Sequence, residues 1–335
     1  MRNNRNAVII LILSPFFILM SMIASIMYGA KTIDFQTAWQ AIVHYDFGNV
    51  DHVIIATGRI PRAIAAAVVG ASLAAAGAIM QGVTRNYLAS PSIMGVNDGS
   101  VFMITLAIVF MPHLTNSELI ILSMIGSAFG AGLVYGFGSL FKDGLSPVRL
   151  AIIGTVIGTF LSSTATAVAM YFQVSQNITA WYSTKIQTVD PPMLYLSLPI
   201  LGGGLLLAIA VSKAVTIASL GEETAIGLGQ KTKWIKVISM LSVVCLTGVS
   251  VALVGKIGFV GLVVPHISRF LTGSDYRVIV PCAAFLGAAF LTLCDCLSRM
   301  VNFPFETPVG VVTSLIGVPF FLYLIRTKGG NRNAL

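Results

Sequence analysis

Leu220-Gly-Glu-Glu-Thr-Ala-Ile-Gly-Leu-Gly-Gln-Lys-Thr-Lys233 separates two long apolar runs. Two carboxylates, two lysines and three glycines stand together there, in a chain that is 56% hydrophobic and 10% charged. A soluble globular chain carries about 25% charged residues. The contrast decides the fold: what flanks this stretch is built for lipid. A turn between two apolar runs does not need this much charge, nor glycines that divide it into short helical pieces. The stretch, taken as residues 218–233, reads as a surface that a second protein touches on one side of a membrane.

Working outward, ten segments are apolar enough to span. They are residues 7–29, 62–83, 93–111, 119–141, 149–172, 192–212, 236–255, 259–272, 278–301 and 308–326. A span needs roughly 20 mainly apolar residues. The eighth is short and carries Pro265, so its limits are the least defined. Backbone groups in lipid must be satisfied within the segment, which predicts an all-α, polytopic bundle. The longest segments predicted outside are Ala30–Gly58 and Gln173–Pro191, too short for a core of their own. The chain therefore reads as one membrane domain over residues 1–335.

The net charge of +8 is compatible with nucleic acid, but its distribution points elsewhere. With a cytoplasmic N-terminus, fourteen of the 20 Lys and Arg residues fall inside and six outside. That bias predicts both termini in the cytoplasm and explains the basic balance without nucleic acid. Residues 1–29 resemble a signal peptide at Arg2 and Arg5, but the apolar run from Ala7 to Met27 exceeds the usual 7–15 residue core, so a retained span is expected. Cys245, Cys282, Cys294 and Cys296 have no zinc or redox spacing and read as packing residues. No G-x-x-x-x-G-K-[ST] loop occurs, so the chain is not expected to bind ATP in that manner. No metal or cofactor is expected.

Charge within a span costs about 2.5–3.5 kcal/mol on insertion scales, which makes each instance informative. Asp295 and Arg299 stand one turn apart near the outer end of the ninth span and fit an i, i+4 pair. Asp98 falls near the start of the third span, within reach of the inner interface. So few carboxylates argue against an ion-coupled pump. Arg59 and Arg62 flank Pro61 at the outer surface, either as snorkelling interfacial residues or as a docking site for an acidic partner. His266 after Pro265 reads as structural, and Trp181 and Tyr182 as aromatic anchors at the outer interface. No nucleophile–base pair emerges, so no catalytic residue and no enzyme is expected. Gly126-x-x-x-Gly130, Gly154-x-x-x-Gly158 and the face Gly70, Ala74, Gly77, Ala78 suit close helix crossings. Spans two to five and seven to ten begin on opposite sides, a topology that suggests an inverted repeat.

Gly255-Lys-Ile-Gly-Phe-Val-Gly-Leu-Val-Val-Pro-His-Ile-Ser-Arg269 resembles a signature of the iron-siderophore and vitamin B12 ABC importer permeases, the type II importers. Matching blocks run along almost the whole chain: Arg59-Ile-Pro-Arg62, Gly77-Ala-Ile-Met-Gln-Gly82, Thr84-Arg-Asn-Tyr-Leu-Ala89, Leu220-Gly-Glu-Glu with Gly227-Leu-Gly229, and Glu306-Thr-Pro-Val-Gly310 leading to Gly317-Val-Pro-Phe-Phe321. The chain departs from the family at Tyr87 and Lys256, where the family commonly has proline, and at Trp181-Tyr-Ser-Thr184, where a Gly-Ser pair often follows the tryptophan.

The resemblance implies ten helices and a pair of permeases around a central pathway. It also implies two cytoplasmic ATPase subunits and an extracytoplasmic binding protein. Arg59, Arg62 and Arg299 match the family's outer arginines, which meet glutamates of the binding protein. Leu220, Gly221, Glu222, Glu223, Ala225, Gly227, Leu228 and Gly229 match the loop that couples to the ATPase, with Ala225 and Leu228 as apolar contacts and the glycines as turns. Asn86, Leu88, Pro147 and Val148 fall at the family's inner gate. Thr84-Arg-Asn-Tyr-Leu-Ala-Ser-Pro-Ser-Ile-Met-Gly95 and Asn302-Phe-Pro-Phe-Glu-Thr-Pro308 look closest to Gram-positive permeases for ferric catecholate siderophores, which pair two different permease chains. The expected function is import of ferric siderophore across the bacterial cell membrane by alternating access. The alternatives are haem or cobalamin import, or an ion-coupled secondary transporter.

Overall fold

The computed structural model describes residues 2–29, 31–111, 113–141, 146–303 and 305–328. Among them the chain is helical, with no strand. Two of the fourteen charges expected inside, Lys142 and Arg332, lie outside the described residues.

The helices α1 (Arg2–Met27), α2 (Phe35–Val43) and α3 (Val50–Ile54) come first. Asp34 caps α2 by accepting from Thr37 N at 3.1 Å. One π-helical turn, Ile55–Arg59, carries α3 into α4 (Ile60–Thr84). Pro61 sits in the first turn of α4, where its missing N–H costs nothing. Then follow α5 (Val96–Phe110), α6 (Asn116–Leu140) and α7 (Pro147–Tyr171). A capping box of Thr115 and Glu118 opens α6. Next come α8 (Ser175–Thr184), α9 (Pro191–Ser219), α10 (Glu222–Gly227) and α11 (Thr232–Val254). The last are α12 (Val260–Thr272), α13 (Tyr276–Met300) and α14 (Val309–Lys328).

Seven of these helices have the length and apolarity to cross a membrane, and α5, α12 and the apolar part of α14 are shorter apolar helices. Together they match the ten segments read from the sequence. The shorter α2, α8 and α10 lie between them, while α3 and the π-helical turn run on into α4 as one apolar stretch, Val50–Thr84.

The core is organised around α4, which packs against α13, α11, α9 and α12. Small residues make this possible. A Cβ on Gly70 would run into Gly287 O of α13, and one on Gly77 would run into Gly261 O of α12. The expected crossing residues Gly126 and Gly130 meet α5 at Gly99 in the same way. Without a side chain at these points the backbones approach closely enough for dispersion to hold the helices together. The first span, α1, is tied to α13 by Ser21 and Thr292, whose hydroxyls lie 2.7 Å apart.

Two helices are too short to cross alone. Gly95, at φ 73°, precedes α5, and Gly255 and Phe259, at φ 80° and 66°, precede α12. These left-handed residues break the chain where a regular span would have continued. Irregular backbone at such depth is tolerated only where it is covered by protein or lines a water-filled cavity.

Candidate functional site

The functional groups fall at three levels along the bundle: the end that the charge bias predicts to be the outer one, the middle, and the end predicted to be the inner one. At the outer end, Asp295 on α13 is fully buried and shared by two arginines. Its Oδ1 accepts from Arg62 Nε at 2.8 Å, and its Oδ2 accepts from Arg299 Nη2 at 2.5 Å. Arg62 Nη1 also donates to Glu306 Oε2 at 2.6 Å. Arg299 Nη1 donates to Ser25 O at 2.7 Å, which ties α1 into the cluster. The i, i+4 spacing of Asp295 and Arg299 had announced their pairing; nothing local announced Arg62.

Arg59 takes a different set of partners. It donates to Ile26 O at 2.5 Å and Met27 O at 3.1 Å, and also to Lys31 O, so it closes the end of α1 with three backbone carbonyls. Residue exposures of 8%, 5% and 4% for Arg59, Arg62 and Arg299 correct the expectation that the first two stand at the outer surface. Desolvating a guanidinium is costly, and each of the three is turned inward to a partner that offsets that cost. The cluster holds three arginines against Asp295 and Glu306, one positive charge in excess.

The middle level was not foreseen. Lys256 Nζ lies 2.5 Å from Asp98 Oδ1. A Cβ on Gly158 would lie 2.6 Å from the other oxygen of Asp98. Gly158 adjoins the midpoint of the 25-residue α7, so the pair sits about halfway along that helix. Asp98 therefore does not sit near the inner interface, and Lys256, one of the six charges counted as outside, does not belong there either. The error has one cause: α5 and α12 are half-length, so residues at their starts are deep. Tyr182 is another correction. Its hydroxyl donates to Val101 O at 2.7 Å, so the ring is held against α5 rather than anchored in lipid headgroups. The side chain of Trp181 lies outside the described residues.

At the inner end, α10 forms a six-residue helix between two glycines that need their conformations. Gly221 has φ 131° and Gly229 φ 79°. Gln230 N donates to Ala225 O at 2.9 Å and Gly229 N to Ile226 O at 2.8 Å. That 6→1 and 5→2 pair is a Schellman ending, with glycine in its left-handed position. Gly227 has no such φ and faces open space. Leu220, Ile226 and Leu228 are exposed, whereas Ala225 is fully buried. Ala225 thus cannot supply the outward apolar contact expected of it; Ile226, which the sequence reading passed over, can. Glu222 bonds Lys236 at 2.8 Å, and this hydrogen bond to the ammonium holds its carboxyl below the usual glutamate range. Glu223 lies beside it, exposed in the first turn of α10.

Beneath α10 lies a cavity of about 540 Å³, bounded by Val83, Tyr135, Ala225, Ile235 and Met240 among others. The gate residues expected at this end are exposed at Leu88 and Val148. Asn86 Oδ1 accepts from Leu88 N at 2.9 Å, and Pro147 opens α7. Arg85 and Leu150, close to the two pairs in sequence, line that same cavity.

Among the described residues no group of three His, Cys, Asp or Glu side chains could hold a metal ion. His266 is set edge-on to Phe320, with ring centroids 6.2 Å apart.

The pattern of the FecCD transport family matches residues 17–327. The chain belongs to the FecCD transport family. Within reach of this membership, the iron-uptake system permease protein FeuB of Bacillus subtilis (strain 168) is 55% identical over 325 residues, covering 97% of each chain. The iron(3+)-hydroxamate import system permease protein FhuB of the same organism is 48% identical over 322 residues, covering 96% of this chain and 84% of its own. A solved inward-facing structure assigned to the metal-chelate type of ABC transporter superposes with TM-score 0.80 at 26% identity, covering 96% of this chain and 99% of that one. Membership in the FecCD family makes this chain a multi-pass transport permease, and the ten apolar helices agree with it.

Proposed function

We propose that the chain is the membrane-spanning permease of an ATP-driven importer that carries ferric siderophore, of the catecholate class, into the bacterial cytoplasm by alternating access. The observation that carries this reading is the near-complete match to a FecCD iron-uptake permease, 55% identical over 97% of both chains. The permease works with a second, homologous permease chain, two cytoplasmic ATPase subunits and an extracytoplasmic binding protein. Both termini face the cytoplasm, in line with the bias of Lys and Arg.

In this reading the exposed apolar residues of the 218–233 loop, Leu220, Ile226 and Leu228, seat in the ATPase. Gly221 and Gly229 fix the loop's shape. Motion of the loop reaches Asn86 and Leu88 and Pro147 and Val148, the inner gate. The outer arginines Arg59, Arg62 and Arg299 form the end over which the binding protein docks. The excess positive charge of that cluster favours an acidic partner.

A ferric hydroxamate importer is the second reading, favoured by the 48% identity to a hydroxamate permease. Iron uptake in cells lacking this chain separates the two. Selective loss with ferric catecholate supports the proposal. Selective loss with ferric hydroxamate replaces it by the second reading, and loss with haem or cobalamin instead replaces both.

A further inference from the structure

The two short helices share more than their length. The break before α5 and the break before α12 are joined by the Lys256–Asp98 pair, level with the middle of α7. Discontinuous helices in corresponding halves of a transporter are where substrates are met.

The pair is asymmetric. The Asp98 side chain is 9% exposed and the Lys256 side chain 42%. A pair kept only for cohesion buries both partners, because each exposed charge at this depth is costly. Here the carboxylate is sunk against Gly158 and the ammonium stands in front of it. An ammonium has three N–H donors. One is directed to Asp98 Oδ1, and the others remain for whatever lies in front.

What lies in front is a cavity of about 300 Å³. Besides Lys256 and Asp98 its wall carries five hydroxyl residues: Ser92, whose Oγ accepts from Asn97 Nδ2, and Thr155, Thr159, Ser162 and Ser163 along α7. Thr155, Thr159 and Ser163 are exposed at successive turns of α7. Thr155 donates its hydroxyl hydrogen to Ala151 O at 2.9 Å, which leaves the lone pairs of that oxygen facing the cavity, and α7 is otherwise apolar enough to span. The cavity is too small for a whole iron chelate and of a size to take one edge of it.

We propose that Lys256, held forward by Asp98 and flanked by the α7 hydroxyls, is the mid-membrane contact for a negatively charged iron chelate. This rests on the siderophore-importer reading and narrows it. A tris-catecholate iron complex is trianionic and presents phenolate oxygens to an ammonium donor. A trihydroxamate iron complex is neutral and gains much less from the same lysine. Asp98 has the positioning role: it fixes where the ammonium stands and neutralises it while the pathway is empty.

The test uses the whole transporter in proteoliposomes with its ATPase, partner permease and binding protein. Import of radioactive iron, as trianionic tris-catecholate and as neutral trihydroxamate, is measured per assembled complex. The variants are Lys256→Arg and the charge-neutral pair Lys256→Gln with Asp98→Asn, which leaves no uncompensated ion. Loss of a charge-assisted hydrogen bond predicts a fall of about tenfold or more in tris-catecholate import for the neutral pair. Lys256→Arg is expected to keep most of it. Wild-type import rates in the neutral pair overturn the inference and leave the importer reading standing. A loss seen only as less assembled complex, with the import rate per complex intact, also overturns it and makes the pair structural. A wild-type transporter that imports neither chelate overturns the importer reading itself, and the inference with it.

Discussion

Arg62 on α4 reaches Asp295 on α13, Nε to Oδ1 at 2.8 Å, across 233 residues of sequence. The same carboxylate holds Arg299, so one buried aspartate serves two arginines and joins α4 to α13 at their outer ends. Removing one partner of a buried pair costs about 3–5 kcal/mol, because the other charge is left stranded. Asp295→Ala strands both arginines and is expected to lower thermal stability of the detergent-solubilised protein by at least that much. Arg62→Glu places a third carboxylate beside Asp295 and Glu306 and should abolish folded protein. A stable, well-folded Arg62→Glu permease would show that the cluster does not carry this load.

The coupling loop predicts a contrast between neighbouring glycines. Gly229 is in the left-handed region, which costs a side-chain-bearing residue roughly 1–2 kcal/mol, most for β-branched ones. Gly229→Val should distort the end of α10 and reduce ATPase stimulation by the loaded binding protein. Gly227→Ala has open space and ordinary backbone, and should leave stimulation near the wild-type value. Equal effects of the two substitutions would separate coupling from the loop's shape.

Glu222 and Lys236 give a pH-dependent contribution with a definite sign. The carboxyl is held below its ordinary value in the folded chain, so the pair stabilises at neutral pH and above the normal glutamate range. The contribution is lost as pH falls through the lowered value, in the acid range below about 4.5. Both side chains are nearly half exposed, so its size is at most about 1 kcal/mol. Glu222→Gln should flatten that small acid-side slope in a thermal-unfolding series and leave stability at pH 9 lower by a similar amount.

Close crossings predict intolerance to added volume. A Cβ at Gly287 would meet Gly70 O and Ala74 Cβ of α4. Gly287→Val must push the two helices apart, costing ~1–3 kcal/mol or more in a packed core. Gly202→Val, where nothing lies within 4 Å, should be accommodated. Membrane insertion and melting temperature of the two variants make the comparison.

How much of this could be read from the chain follows physical range. The ten spans were legible because a bilayer imposes one length and one composition on each. The glycine crossings were legible because small residues recur at helical spacing. Asp295 with Arg299 was legible because their partnership is local. Arg62 with Asp295 was not, nor was Lys256 with Asp98, 158 residues apart. Their meeting depends on which helices are neighbours and how deep each one starts. Ala225 was misread for a smaller reason. A six-residue helix has barely two turns, too few for its buried face to stand out as a period.

The helix that contains Arg62 differs in kind from the one that lines the hydroxyl cavity. The apolar window of the α4 span is 83% buried and that of α7 only 22%. Bundles open first where few neighbours hold the backbone and last where every side is covered. The amides of α4 should therefore be the slowest in the molecule to exchange with solvent deuterium, and those facing outward on α7 among the fastest of any spanning helix. The permease is then a fixed mast with a looser wall, and whatever changes shape during a transport cycle does so around α4 rather than through it.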